Sequence, residues 1–479
     1  MKYYDKLIFE LSKHGRVGYS LPEAAGSSES APWEASESAV WRKSELPLPE
    51  VSELDVVRHY TNLSQMNFGV DTGFYPLGSC TMKYNPKINE EIVAKFNGIH
   101  PLQPAETVKG VAEVYAGIDA ALAAVTGMKH FTFEPCAGAH GELTGLMLMR
   151  EYHFSRGDMA RTKVIVPDSA HGTNPASAAV CGLEIVEVKS KENGLIDVEA
   201  LKPLLGPDIA GIMMTNPNTL GLFERDIKEI AALVHDCGGL LYYDGANMNP
   251  LIGVVRPGDM GFDIMHLNLH KSFSTPHGGG GPGSGPVGVA ERLVNLLPKY
   301  CEGREVSDSG IRVSGFHGNF GVILRAYAYL LMLGHENVKM AGKLATLGAN
   351  YIKESLKDCY KLPIPTVCKH EFVFDGLVND GAREGVAGAT TLDVAKRLLD
   401  YGFHAPTIYF PLLFHQAIMI EPTETESLET LDAFIEVMRK IAAEAAEDPE
   451  LLHSAPHNTP IGRPDETAAA RQPKLTYFA

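Results

Sequence analysis

The sequence predicts an α/β protein, with a large unit on a buried, mostly parallel sheet and a second, smaller unit after it. Three observations carry this. Short apolar runs alternate with helical patterns from about residue 105 to residue 271. Runs such as KVIVP, IAGIMMT and LLYYD are apolar on both faces, which suits a sheet covered on both sides. Residues able to do chemistry follow these runs directly, and ligands of open α/β sheets sit beyond the carboxyl ends of the strands.

Taken in order, AETVKGVAEVYAGIDAALAAV reads as a helix, with Val108, Val111, Val114, Tyr115, Ile118 and Leu122 on one side. HFTF is a short strand, and EPCAGAHGE is a loop that opens a helix near His140. KVIVP (163–167) is a strand, followed by Asn174-Pro175 as helix N-cap and first helical residue. LEIVEV is a strand, DVEALKPLL a helix and IAGIMMT a strand. In RDIKEIAALVHDCGG, Ile227, Ile230, Ala231 and Val234 share a face, and Gly238 fits the helix end. LLYYD ends at Asp244, and DIMHLNLH is expected to run as a strand to Lys271. A long helical stretch covers 317–358; HEFVFDG then opens the smaller unit, with helices at TLDVAKRLLDYG and SLETLDAFIEVMRKIAAEAAE. The expected division is an arm at 1–69, a large domain at 70–330, a small α+β domain at 331–453 and a tail at 454–479.

The 479 residues are 45% hydrophobic and 21% charged, ordinary for a globular protein of two domains plus extensions. A formal charge of −17 argues against nucleic acid or an anionic membrane as partner, because both select basic surfaces. The seven cysteines (Cys80, Cys136, Cys181, Cys237, Cys301, Cys359 and Cys368) form no Cys-x-x-Cys pair. Free thiols in a reducing compartment are expected, not disulfides or zinc. No signal or transit pattern and no run of about 18 apolar residues is present, so a cytoplasmic location is expected. Residues 20–60 are rich in Ser, Glu, Ala and Pro and read as an arm lying on something else, such as a partner chain.

Asp244 and Lys271 close neighbouring apolar runs. A carboxylate and an amine at adjacent strand ends can serve one flat, charged cofactor. Pyridoxal phosphate needs an amine to hold it as a Schiff base and a carboxylate to keep its ring nitrogen protonated. It also needs backbone N–H groups at a helix start for its phosphate, which Cys136-Ala137-Gly138-Ala139 and the helix after it supply. His171, just after strand 163–167, is placed to cover the ring; no second ligand stands at metal spacing around it, and no metal is expected. Singly, each feature has a plainer reading: a strand-end Asp is more often a turn residue, a lone His a satisfied structural group, and GGGGPGSGP a loose loop. It is their occurrence together, in order, that carries weight.

The segments NLHKSFSTPHGGGGPGSGPVGV, YYDGANMNP, DSAHGTNPASA, TNPNTLGLFE and PLGSCTMKYNP resemble the P-protein family of the glycine cleavage system. Within it they resemble the subunit 2 branch of two-subunit glycine dehydrogenases (decarboxylating). The likeness runs from about residue 50 to the tail. It implies an aspartate-aminotransferase-like fold and pyridoxal 5'-phosphate as cofactor. Lys271 would carry the cofactor, Asp244 would face its ring nitrogen, His171 would stack on the ring and Ala246 would lie beneath it. Gly138, Ala139, Thr219 and His270 complete the cofactor-binding set that the resemblance implies.

The implied reaction is decarboxylation of glycine. The aminomethyl group then passes to one sulfur of the lipoyl disulfide on a small carrier, the lipoylated H-protein, leaving the other sulfur as a thiol. The single-chain form of the family carries a second half that this chain lacks. The resemblance therefore implies a partner, glycine dehydrogenase (decarboxylating) subunit 1, in a heterotetramer of two of each. PLGSCTMKYNP could line the carrier's channel through Ser79, Thr81, Lys83 and Tyr84, or could only pack the arm. Arg312 and Arg325 are candidates for glycine's carboxylate, although surface or structural roles suit either better. The rival readings are another pyridoxal-phosphate decarboxylase or aminotransferase, and a non-catalytic scaffold subunit.

Overall fold

A computed structural model describes residues 4–20, 42, 44–278, 283–297 and 311–477. Most of the Ser/Glu/Ala/Pro-rich arm, Gly279 to Pro282 of the glycine run, and Cys301 lie outside the described residues. The chain divides into two compact units, Val70–Ala455 and a unit made of Met1–Gly69 with Pro456–Ala479.

The larger unit is built on seven strands: β1 (His130–Thr132), β2 (Lys163–Pro167), β3 (Glu184–Val188), β4 (Ile209–Thr215), β5 (Leu240–Gly245), β6 (Ile264–Leu267) and β7 (Val287–Val289). Their order is β1-β7-β6-β5-β4-β2-β3. β3, β2, β4, β5 and β6 pair in parallel, while β7 runs antiparallel to both β6 and β1. Every residue of β4 and β5 is buried, as their two-faced apolar sequences require. Helix Ile227–Asp236 turns Ile227, Ile230, Ala231 and Val234 to the core, each large side chain contributing roughly 1.5–3 kcal/mol on burial. The helical stretch expected at 317–358 is Phe320–Leu356, interrupted at Gly334.

A second, antiparallel sheet has three strands, β8 (Phe372–Asp375), β9 (Thr407–Ile408) and β10 (Ala417–Ile420), in the order β8-β10-β9. Helices Thr391–Asp400 and Leu428–Glu447 pack with it around Phe374, Ile418, Phe434 and Met438. In the unit of arm and tail, Ser52 and Asp55 cap helix Glu53–Ser64 reciprocally, Arg16 pairs with Asp55 at 2.6 Å, and Phe9 stacks on Tyr477 at 4.6 Å.

Three local expectations need correction. The apolar run 262–269 does not continue as a strand to Lys271. β6 ends at Leu267, and Leu269–Ser272 forms one helical turn that carries His270 and Lys271. Beyond Leu267 the contacts to the neighbouring segment are one-sided: Leu267 N–H donates to the Pro286 carbonyl and Leu269 N–H to the Ser284 carbonyl, while Pro286 has no N–H to return. Helix Thr173–Val180 begins before Asn174, with Gly172 as N-cap. Pro175 is tolerated there because first-turn N–H groups lack intrahelical partners anyway. The helix expected from His140 begins at Gly138.

Candidate active site

The parallel strands end in register. Thr215 of β4 pairs with Asp244 of β5, and Asp244 pairs with His266 of β6. Close approach of β5 to β6 requires Gly245, where a Cβ would lie 1.9 Å from the His266 carbonyl oxygen. This row forms the floor of a cavity of about 250 Å³. All eight residues singled out from the sequence line it: Gly138, Ala139, His171, Thr219, Asp244, Ala246, His270 and Lys271. Ser79, Glu142, Thr173, Thr215, Asn247, His266 and Asn268 line it as well.

Lys271 donates from Nζ to the Ser79 carbonyl oxygen at 2.8 Å. Asp244 is 2% exposed; its Oδ1 stands 3.2 Å from His266 Nε2 and accepts the Ala246 N–H at 2.9 Å. His266 Nδ1 lies 2.8 Å from the Tyr242 hydroxyl, so the ring is oriented from its far side. The tautomer that satisfies both contacts puts the proton on Nε2, facing the carboxylate. Glu142 accepts from the Thr173 and Ser177 hydroxyls at 2.8 and 2.9 Å. Burial, reinforced by the Asp244 charge, pushes its carboxyl above the usual range.

Burial holds the His171 ring below its ordinary value, so it is neutral near pH 7. Its Nδ1 lies 2.8 Å from the Thr173 hydroxyl and 3.2 Å from the Thr173 N–H. His270 is pushed down to about 3 by burial and then by His277 and Lys271. Thr219 donates its hydroxyl to the Ser169 carbonyl, bracing the loop after β4 against the loop after β2.

Pyridoxal phosphate fits these residues. The 17-residue helix Gly138–Phe154 opens on the cavity with no side-chain cap. Its first N–H groups and dipole suit a phosphate. At Gly138 a Cβ would lie 2.5 Å from Asn268 Oδ1, so a larger residue would push the Asn268 side chain off the cavity wall. Three buried polar atoms of the lining lack any hydrogen-bond partner: Thr215 Oγ1, Asn268 Oδ1 and His270 Nδ1. Unpaired buried polar atoms are costly, and a bound polar group would satisfy them.

The two arginine candidates lie elsewhere. Arg325 is tied to Glu90 at 2.7 and 2.5 Å, and Arg312 is exposed, 3.9 Å from Glu134. Arg325 lines a larger cavity, about 590 Å³, that contains none of the eight predicted residues. Of the 76–86 segment, Ser79 lines the lysine cavity, Thr81 and Lys83 are buried, and Tyr84 is exposed.

The chain matches the family model for the glycine dehydrogenase C-terminal domain at residues 341–458, and that for class-V aminotransferases at 148–280. The probable glycine dehydrogenase (decarboxylating) subunit 2 of Caldanaerobacter subterraneus subsp. tengcongensis is 57% identical, over 100% of this chain and 99% of that protein. The protein of the same description from Alkaliphilus oremlandii is 57% identical, over 98% and 97%. Among solved structures, glycine decarboxylase (P-protein) of the glycine cleavage system, in inhibitor-bound form, matches with a TM-score of 0.69 at 21% identity, covering 85% of this chain and 94% of that one. Lactobacillus brevis glutamate decarboxylase matches with a TM-score of 0.66 at 14% identity, covering 87% and 97%. At such identities these two show the fold, which is the aminotransferase-like one expected. Identity above one half along the whole length is a stronger statement, and by it the chain belongs to the glycine dehydrogenase (decarboxylating) subunit 2 family.

Proposed function

We propose that this chain houses the pyridoxal-phosphate site of a two-chain glycine dehydrogenase (decarboxylating), with Lys271 as the residue that carries the cofactor. The reaction is pyridoxal-phosphate-dependent decarboxylation of glycine within the glycine cleavage system. When bound, the cofactor supplies an electron sink for the pair left behind as glycine's carboxyl departs as CO2. The observation that carries the residue assignment is the convergence of one amine, one buried carboxylate, one neutral imidazole and one uncapped helix start on a single cavity.

Each side chain then has a task. The N–H groups at Gly138 and Ala139 bind the phosphate. Asp244, held by His266 and Ala246, keeps a proton on the ring nitrogen. Neutral His171 covers the ring and excludes water from one face. Lys271 Nζ, steadied by the Ser79 carbonyl, would hold the cofactor through its amine and would be placed to move protons at the reacting carbon.

Membership in a family named as subunit 2 implies a partner subunit. We take that partner to be subunit 1, in a tetramer of two of each, and the acceptor of the aminomethyl group to be the lipoylated H-protein. No helix among the described residues is long and apolar enough to cross a membrane, which agrees with the proposed cytoplasmic location. A decarboxylase or aminotransferase of another kind would turn over free amino acids without a carrier. The test is glycine–CO2 exchange by the reconstituted complex, dependent on lipoylated carrier, with borohydride labelling mapped to the Lys271 peptide. Label on another lysine overturns the assignment.

A further inference from the structure

Outside this set lies a second buried cluster of ionisable groups. His370, Glu371 and Glu421 are each 0% exposed. Glu371 precedes β8 and Glu421 follows β10, whose register pairs Ile420 with Phe372. The two glutamates therefore meet at one end of the small sheet, where like charges repel. No Lys or Arg forms an ion pair with either among the described residues.

Their hydrogen bonds are unequal. Glu371 Oε2 accepts the Ser79 N–H at 2.7 Å, and its Oε1 accepts from Asn247 Nδ2 at 3.1 Å. Glu421 Oε2 accepts the Thr81 N–H at 2.9 Å, but Glu421 Oε1 has no partner. His370 Nε2 stands 3.8 Å from Glu371 Oε1 and 3.9 Å from Glu421 Oε1, and neither ring nitrogen is hydrogen-bonded.

The two backbone donors belong to one strained loop. Ser79 and Thr81 have φ of 65° and 49°, left-handed values that a β-branched residue such as Thr81 rarely adopts. Something must hold such a loop, and the two carboxylates grip it at both positions. Ser79 in turn offers its carbonyl to Lys271 Nζ. One residue thus links Glu371, through its N–H, to the lysine amine, through its carbonyl.

We infer that Glu371 and Glu421 share a single proton, carried on Glu421 Oε1, and that the half-ionised pair positions the Ser79–Thr81 loop over the Lys271 amine. Both Glu371 oxygens already accept N–H donors, so a proton there would displace one; the bare Glu421 oxygen has room for it. Two ionised carboxylates in this buried space would repel each other, with Lys271 the cationic group opposing both. Burial raises both carboxyls above the usual carboxylate range, so the pair as a whole keeps a proton, and the unequal hydrogen bonding puts that proton on Glu421. The other groups facing the pair are Lys271 from its helical turn, Cys80 from the loop, Cys368 ahead of β8, Glu424 beyond β10, and His370. His370 cannot supply the proton, because burial holds it down to about 3. The functional consequence rests on the reading of Lys271 as the cofactor-bearing residue; the shared proton does not.

The test uses the full chain, alone and with its partner. Infrared difference spectra at neutral pH, wild type against Glu421→Gln, should show one neutral-carboxyl band lost. Urea unfolding supplies an independent reading. An acid whose folded value is raised stabilises fully below its unfolded value, near 4.5, and loses that contribution as pH rises toward about 7. The wild type should lose stability across that window relative to Glu421→Gln, which cannot ionise. Glu371→Gln, which sets an amide N–H against an N–H donor, should lose 10-fold or more in kcat, and Glu421→Gln, which only replaces a neutral carboxyl, should lose clearly less. Borohydride labelling of Lys271 in the wild type is scored separately: its absence sinks the cofactor reading and leaves the proton result standing. The inference is overturned if the wild type shows no such band, if the two glutamine variants are equally impaired, or if a stoichiometric divalent metal sits between the carboxylates. Should Glu421→Gln not fold, the wild-type spectrum, taken across the pH window, still decides.

Discussion

Asp244 Oδ1 and His266 Nε2 stand 3.2 Å apart on adjacent parallel strands, in register and almost wholly buried. The strand pairing fixes the distance, and the Tyr242 hydroxyl fixes the ring from behind. The carboxylate is therefore held in place before any ligand arrives, and such preorganised charge is the most effective kind in a low-dielectric site.

Asp244→Asn should keep bound cofactor better than it keeps turnover, because the helix start at Gly138 is untouched while the proton on the ring nitrogen loses its partner. A barrier increase of about 3 kcal/mol or more is expected. Near-normal glycine–CO2 exchange in this variant would remove Asp244 from the role. His266 is the close neighbour of the Asp244 carboxylate at 3.2 Å, so His266→Phe should lower kcat with the cofactor absorbance shifted, not lost.

Lys271→Ala should fold, because its Nζ makes one hydrogen bond, to a backbone carbonyl. Its urea midpoint should stay near wild type. Borohydride should no longer fix cofactor to the protein, and trypsin mapping of the treated wild type should find the label on the peptide containing Lys271 alone.

Much of this site is legible in the sequence. Lys271, Asp244, His171 and Gly138 follow apolar runs, and parallel sheets gather such positions on one edge. His266 carried a signal that was passed over: it is the one ionisable residue inside the apolar run Ile264–Leu267. Glu142 carried another, one turn after Gly138 on the same helix. Ser79 is legible only as a possible channel residue, not as the partner of Lys271, and Glu371 and Glu421 carry no local signal at all. They reach Lys271 across 192 residues in one case, and no local period encodes such contacts. The helical turn under Lys271 is not legible locally, because the missing Pro286 N–H that leaves the pairing one-sided belongs to a segment outside this run.

Lys83 supports that turn from below. Its Nζ donates to Glu424 at 2.7 Å, Asn249 at 2.9 Å and the Ser272 carbonyl at 2.8 Å, in a nearly water-free setting. Burial opposes the Lys83 charge, but Glu424 raises it above its usual value, while Lys83 lowers Glu424 against its own burial. The Glu424 contribution is present above pH 4.5 and fades as pH falls through its lowered value; the Lys83 contribution is present below pH 10.5 and fades as pH rises through its raised one. Lys83→Met leaves a buried carboxylate unpaired and should cost about 3–5 kcal/mol in urea unfolding. Adding Glu424→Gln should recover part of that loss. A single-variant cost below about 1 kcal/mol would mean that the pair is solvated and this account of the turn is wrong.

The chain by itself should be incompetent. The cavity holds the amine, the carboxylate and the helix start, yet neither arginine proposed for glycine's carboxylate lines it. An amino-acid substrate needs a cationic or N–H partner for that group, and a second subunit could bring one. The unit of arm and tail points the same way. Leu54, Val57 and Tyr60 recur every third residue on helix Glu53–Ser64 and are all more than half exposed. Such a stripe is better suited to an interface than to water. Purified chain with lipoylated carrier should therefore show little glycine decarboxylation, and adding subunit 1 should restore it. The active complex should be heavier than a homodimer of 51.9 kDa chains. Val57→Asp should weaken assembly and leave cofactor labelling of Lys271 intact, since the substitution lies outside the cavity. A stable homodimer with full activity and no added subunit would end this reading. It would also require the glycine carboxylate to be held by groups already on this chain, with Ser79, Asn268 and His270 the first to mutate.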